Sequence, residues 1–257
     1  MKSELHSGVL DFNLSAPSAQ NTVASVLDVG KSFALRPVLR HVTFTVAAGE
    51  QVALFGANGA GKTTLLRILA TLTRPTSGKV AICGYELLTE QQNIRYRVGY
   101  VGHHLNVYEE LTALENMLFF AKLYGLSNGM ERAKLLLGRA GLGALANERV
   151  RTLSRGQQQR LALIRGIIHS PTLLLLDEPD TGLDEEAHRF LEQLLVERRD
   201  SGRTTLFTTH HVEFGLSVCT NVLVLAGGDL VLAGPRSEVD QRDVQQALRY
   251  TRRSARV

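Results

Sequence analysis

Eight residues limit most tightly what this chain can fold into: Gly56-Ala57-Asn58-Gly59-Ala60-Gly61-Lys62-Thr63. They fill the pattern G-x-x-x-x-G-K-[ST], between a short apolar run at 51–55 and a stretch at 62–71 that reads as a helix stopped before Pro75. Glycines at these places let backbone N–H groups curl around phosphate oxygens, and the N-terminus of the following helix adds partial positive charge. Lys62 supplies a point charge for β- and γ-phosphates. The Thr63 hydroxyl is placed to ligate Mg²⁺, and Thr64 carries the loop into the helix. A glycine turn can match such a pattern by chance, but the strand–turn–helix setting makes phosphate binding the stronger reading.

A second motif supports the first. Leu173-Leu174-Leu175-Leu176 is an all-leucine run that predicts a buried strand, and Asp177 and Glu178 stand at its carboxyl end, where open α/β sheets bind ligands. Asp177 would hold Mg²⁺ through water, and Glu178 could polarise an attacking water. Two acids after a strand are usually ordinary loop residues. Paired with a phosphate loop upstream, they read as hydrolytic machinery.

Composition narrows the class by exclusion. The longest purely aliphatic run is that leucine tetrad, far short of the roughly 18 apolar residues a membrane helix needs. The start of the chain has no apolar block and does not read as a secretory signal. Cys83 and Cys219 lack metal-ligand spacing, which argues against a disulfide scaffold or a zinc site. The net charge of +4 is accounted for by Arg249, Arg252, Arg253 and Arg256 after the last acid, so it reads as a solvated basic tail rather than a nucleic-acid surface. The expectation is a soluble intracellular chain that binds no nucleic acid.

Along the chain, residues 1–21 read as a flexible lead-in. An alternating pattern (Val42, Phe44 and Val46 against His41, Thr43 and Thr45) predicts a small antiparallel part near 22–55, with further strands at 80–82 and 98–101. A helical block spans about 104–155 and contains helices opening near Thr112 and at 129–140. Two capping boxes, Thr112/Glu115 and Ser154/Gln157, mark helix starts. After the leucine strand come a helix at 187–199, a strand at 204–209 and a hairpin turning at Gly227-Gly228. Strands alternating with helices, interrupted by a helical block, imply an α/β core with a helical insertion.

Leu153-Ser154-Arg155-Gly156-Gln157, ahead of Asp177, resembles the signature motif of ATP-binding-cassette ATPases. Other features follow in that family's order, from about 22 to 235. Phe33 falls where the family stacks an aromatic ring on adenine. His103, within Tyr100-Val101-Gly102-His103-His104, falls at the glutamine-loop position. Thr181-Gly182-Leu183-Asp184 resembles the D-loop, and His210 the switch histidine. His210 is preferred to His211 because it directly follows the strand at 204–209. Two departures stand out: His103 replaces a glutamine and Arg155 a glycine. Imidazole is a poor ligand for Mg²⁺, which favours oxygen.

The resemblance implies a RecA-like P-loop core with an antiparallel β subdomain and an inserted helical subdomain, over a domain at 22–238 followed by a tail at 239–257. It implies ATP and Mg²⁺ as ligands, with Lys62, Glu178 and His210 catalytic, and Ser154, Gly156, Gln157 and Asp184 facing nucleotide. It also implies a cassette homodimer and membrane-embedded permease subunits, with the chain on the cytoplasmic face of the cell membrane. The segments around Gly102-His103, Leu111–Asn116 and Leu153–Leu161 are similar to the heme-exporter ATPase of cytochrome c maturation. Another exporter of drug or lipid type, or a soluble non-transport cassette ATPase, are the alternatives.

Overall fold

The structure, a computed structural model, describes residues 21–249. Residues 1–20 of the expected lead-in at 1–21 and the end of the basic tail lie outside them. Alternation of side chains builds a first sheet: β1 (Thr22–Phe33) and β2 (Arg36–Ala47) pair antiparallel, and Val42, Phe44 and Val46 are buried while His41 and Thr43 face out. β3 (Gln51–Gly56), expected within this antiparallel part, leaves it. Its six residues are all buried, and such a strand needs cover on both faces. Its place beside β1 is taken by β4 (Ser77–Ile82), with β5 (Tyr85–Glu86) at the edge, giving the order β2-β1-β4-β5.

The second sheet is the frame of the site. It contains β6 (Val98–Val101), β7 (Leu173–Leu176), β8 (Thr204–Thr208), β9 (Asn221–Ala226) and β10 (Asp229–Pro235), in the order β10-β9-β3-β8-β7-β6. All its pairings are parallel except that of β9 with β10. The leucine tetrad shows why β7 needs no polar face. Leu173 and Leu175 pack into the core shared with the first sheet, and Leu174 and Leu176 into the core on the opposite side, with all four fully buried.

Helices cover both faces. α1 (Lys62–Leu69) follows β3, and the short α2 (Gln91–Arg95) precedes β6. The helical block consists of α3 (Ala113–Leu123), α4 (Gly129–Arg139) and α5 (Arg155–Gly166), followed by α6 (Glu185–Asp200). Both expected capping boxes are present, on α3 and α5. Three helices were not legible in the sequence: α2, α7 (Val212–Val218) and α8 (Gln241–Leu248). α8 begins inside the segment read as a tail from 239, and Val239 and Val244 are buried in the main core. Among the described residues, no helix is long and apolar enough to cross a membrane.

Candidate functional site

The parallel strands β3, β8 and β7 end side by side, so three loops converge at their carboxyl ends. The first loop is 56–61. A Cβ on Gly56 would lie 2.7 Å from the Leu225 carbonyl oxygen, so the loop leaves the sheet where only glycine fits. Gly61 caps α1 with φ +108°, a left-handed conformation that favours glycine, and no side chain caps this helix. Ala57, Asn58 and Gly59 are exposed, as is Thr63, while Ala60 is buried and Thr64 half-buried.

Lys62 turns back into the loop. Its side chain is only 5% exposed, and Nζ donates to the carbonyls of Gly56 (2.8 Å) and Ala57 (3.4 Å). Burial pushes its pKa below the usual lysine value, partly offset by the negative charges of Glu178 and Asp177. The ammonium is thus held by weak neutral acceptors and one carboxylate, Glu178 Oε1 at 3.5 Å.

The second loop follows β7. Asp177 is 3% exposed; its Oδ1 accepts the Thr208 hydroxyl at 3.0 Å, while Oδ2 is buried without a hydrogen-bond partner. Thr208 also accepts the Glu178 backbone N–H at 2.8 Å. Glu178 has φ +53°, a conformation unusual for a residue with a side chain, and its Oε1 lies 2.6 Å from His210 Nε2 on the third loop. Lys62, Asp177, Glu178 and His210 are therefore gathered from three separate segments, with Glu178 touching both Lys62 and His210. His103, at the end of β6, lines a narrow cleft of about 60 Å³ with Arg155, Gln159, Asp177, Glu178 and Thr181.

The other expected residues are placed differently. Ser154 and Gln157 close on each other: Ser154 N–H donates to Gln157 Oε1 (2.8 Å), and Gln157 N–H to Ser154 Oγ (3.3 Å). Gly156 abuts Asp184, since a Cβ there would lie 2.0 Å from Asp184 Oδ2. Asp184 caps α6 by accepting the Ala187 N–H at 2.8 Å. Phe33, at the end of β1, is 52% exposed with Lys31 Nζ 4.8 Å above its ring. Sequence reasoning passes over Thr208, Thr209 and Asp180, and sets His211 aside in favour of His210. The second histidine of the 210–211 pair and the acid at 180 were the available signals.

A Mg²⁺ ion fits this donor set. Among the described residues there is no group of three or more His, Cys, Asp or Glu side chains able to hold a metal. One buried, unpartnered carboxylate oxygen beside a phosphate loop suits an ion that keeps its waters and takes most other ligands from phosphate.

A phosphate loop, an acidic strand end and a histidine meeting one carboxylate, all at the carboxyl edge of a parallel sheet, define a P-loop nucleotide hydrolase. The family model described as "ABC transporter" matches residues 39–181. The chain is 32% identical over 215 residues to the ABC transporter ATP-binding protein NatA of Bacillus subtilis (strain 168), covering 82% of this chain and 87% of NatA. It is 37% identical over 230 residues to the Nod factor export ATP-binding protein I of Rhizobium meliloti (strain 1021), covering 88% of this chain and 69% of that protein. Among solved structures it resembles the dimeric ATP-binding cassette MJ0796 in a post-hydrolysis state bound to ADP and Pi. The TM-score is 0.77 at 28% identity, over 83% of this chain and 98% of that one. The chain belongs to the ABC transporter ATP-binding family and is an ATPase of that family.

Proposed function

We propose that this chain is the ATP-hydrolysing subunit of an ABC exporter and that Glu178 is its general base. The observation that carries the reading is the meeting of Glu178 Oε1 with His210 Nε2 at 2.6 Å and Lys62 Nζ at 3.5 Å. An arriving triphosphate outcompetes the Gly56 and Ala57 carbonyls for the Lys62 ammonium, because phosphate oxygens carry charge and carbonyls do not. Glu178 then accepts a proton from the attacking water, giving ADP and phosphate, while His210 orients Glu178 and contacts the γ-phosphate. The Thr63 hydroxyl, and Asp177 through water, would hold Mg²⁺, which when bound would supply positive charge to the phosphates. Phe33, exposed beyond the loop, stacks on adenine.

The capped N-terminus of α5 at Ser154 and the phosphate loop are each suited to a γ-phosphate. In a homodimer of cassettes, Ser154, Gly156 and Gln157 of one chain would complete the site of the other. Support for a membrane partner comes from a cavity of about 470 Å³ between the sheet core and the helical block. It is lined by Leu72, Tyr96, Tyr100, Leu123 and Tyr124, several of them exposed apolar residues. A permease docked there would hold the chain at the cytoplasmic face of the membrane. The reading of export follows the relatives named for Nod factor export. Heme export rests on short sequence segments alone and draws no support from those relatives. Stimulation of ATP turnover by hemin in membranes carrying the chain and its co-purified permease separates heme from other cargo.

The central test is Glu178→Gln, which keeps the shape but cannot take a proton. ATP binding should persist while turnover falls by about 10²–10⁴-fold. Turnover within a few-fold of wild type would remove Glu178 from the base role.

A further inference from the structure

Two carboxylate–imidazole pairs run side by side between the loop after β7 and the loop after β8. The first, Glu178–His210, belongs to the site already described. In the second, Asp180 Oδ2 lies 2.8 Å from His211 Nδ1. The Asp180 side chain is 1% exposed, and the same oxygen accepts the Thr209 hydroxyl at 2.5 Å, while Oδ1 is buried without a hydrogen-bond partner. Thr209 Oγ1 in turn accepts the His211 backbone N–H at 2.9 Å, and His211 is the N-cap of α7. Both residues flanking His210 are thereby tied to one buried carboxylate, two positions after Glu178.

The start of α7 is backed by the phosphate-loop strand. A Cβ on Gly215 would lie 2.5 Å from the Phe55 ring and 2.9 Å from Thr209 Cγ2, so α7 is closely packed there and leaves the turn at 209–211 little room to shift. A buried carboxylate is retained only where hydrogen bonds or a cation compensate its lost hydration. Here that compensation comes from Thr209 and His211. The His211 side chain is 65% exposed, and a pair with one partner in water contributes little to stability. What it does supply is geometry: the turn cannot swing without stranding Asp180.

We propose that Asp180 and His211 are positioning residues for ATP hydrolysis, holding the turn at 209–211 so that His210 Nε2 meets Glu178 Oε1. This rests on the reading of His210 and Glu178 given above. The pair acts on the rate of the chemical step and leaves the nucleotide contacts of Lys62, the 56–63 loop and Phe33 unchanged.

The test is steady-state ATP hydrolysis by the full chain, with kcat and KM separated. His211→Ala, a change at an exposed side chain, should lower kcat by roughly ten- to a hundredfold with KM for ATP held within about twofold, the scale expected for misplacing a reacting group. His211→Asn, whose amide can still donate to Asp180, should recover most of the loss. Asp180→Ala, which removes the acceptor shared by Thr209 and His211, should resemble His211→Ala; if the loss of this buried group prevents folding, the His211 variants carry the test alone. In a His210→Ala background, His211→Ala should cost little more, because the group it positions is gone. A kcat for His211→Ala within twofold of wild type overturns the proposal. So does an equal fold-loss with and without His210, which marks the pair as merely structural. If His210→Ala itself keeps full turnover, the underlying reading of His210 fails and this inference falls with it. If His210→Ala is defective and His211→Ala is not, only the inference fails.

Discussion

Gly156→Ala joins the motif at 153–157 to the loop at 181–184 within one chain, and its cost can be worked from the contacts. The added Cβ would meet Asp184 Oδ2 at 2.0 Å, Cγ at 2.6 Å and Oδ1 at 2.9 Å. Ordinary C···O contacts are about 3.3 Å or longer, so the carboxylate must withdraw by more than about 1 Å. Asp184 is exposed and the overlapping atoms are the end of its side chain, so it can swing away without displacing backbone. What it gives up is its hydrogen bond from the Ala187 N–H, the cap of α6, worth about 1 kcal/mol. Against this, alanine replaces glycine in the first turn of α5, a gain of up to about 1 kcal/mol. The two nearly cancel, and the single variant should lie within about 1 kcal/mol of wild type. In an Asp184→Ala background the overlap and the cap are both absent, so the same change should be stabilising. Urea unfolding of the four proteins, at matched m-values, should therefore give a coupling of about 1 kcal/mol. Additivity within about 0.3 kcal/mol refutes the reasoning. A single-variant loss above about 3 kcal/mol refutes it too, because the backbone would then be taking up the overlap.

Three further outcomes are expected. Lys62→Ala should weaken ATP binding outright; tethered dimers with Lys62→Ala in one chain and Ser154→Arg in the other should keep one intact site if sites form across chains. Placing both changes in one chain, opposite a wild-type partner, should damage both sites, and the reverse ranking of the two dimers rejects the shared site. His169, stacked on Tyr124 at 3.8 Å between centroids, has its pKa pushed down to about 4 by burial, against 6.5 for a free imidazole. The unfolded chain thus binds the extra proton first, so this stability is complete above about pH 6.5 and drains away as the pH falls toward about 4, by on the order of 2–3 kcal/mol. His169→Phe should flatten that acid limb in urea midpoints measured at about pH 7 and about pH 4.5. An unchanged slope assigns the acid sensitivity to other groups.

The amino-acid order alone settles whatever depends on neighbours a few residues apart. The 56–63 loop is a local device: its glycines set the turn and its lysine opens the helix. The boxes Thr112/Glu115 and Ser154/Gln157 each need only a three-residue spacing, and the all-leucine strand declares its own burial on both faces. Position after a strand favours His210 over His211 as the site histidine; in the structure His210 meets Glu178 and His211 meets Asp180. The partnerships of distant segments emerge only in the folded chain. The local sequence of β3 says that it is a buried strand but not which sheet receives it; the order β9-β3-β8 does. α8 has the composition of a solvated tail, and it is helical and docked because Val244 finds a place in a core made elsewhere. Thr208 bridging Asp177 and Glu178, and Asp180 holding Thr209 and His211, join loops about thirty residues apart in the chain. No periodicity records such contacts, because strand adjacency in a parallel sheet is set by how helices and cores pack around it, not by the residues of either loop.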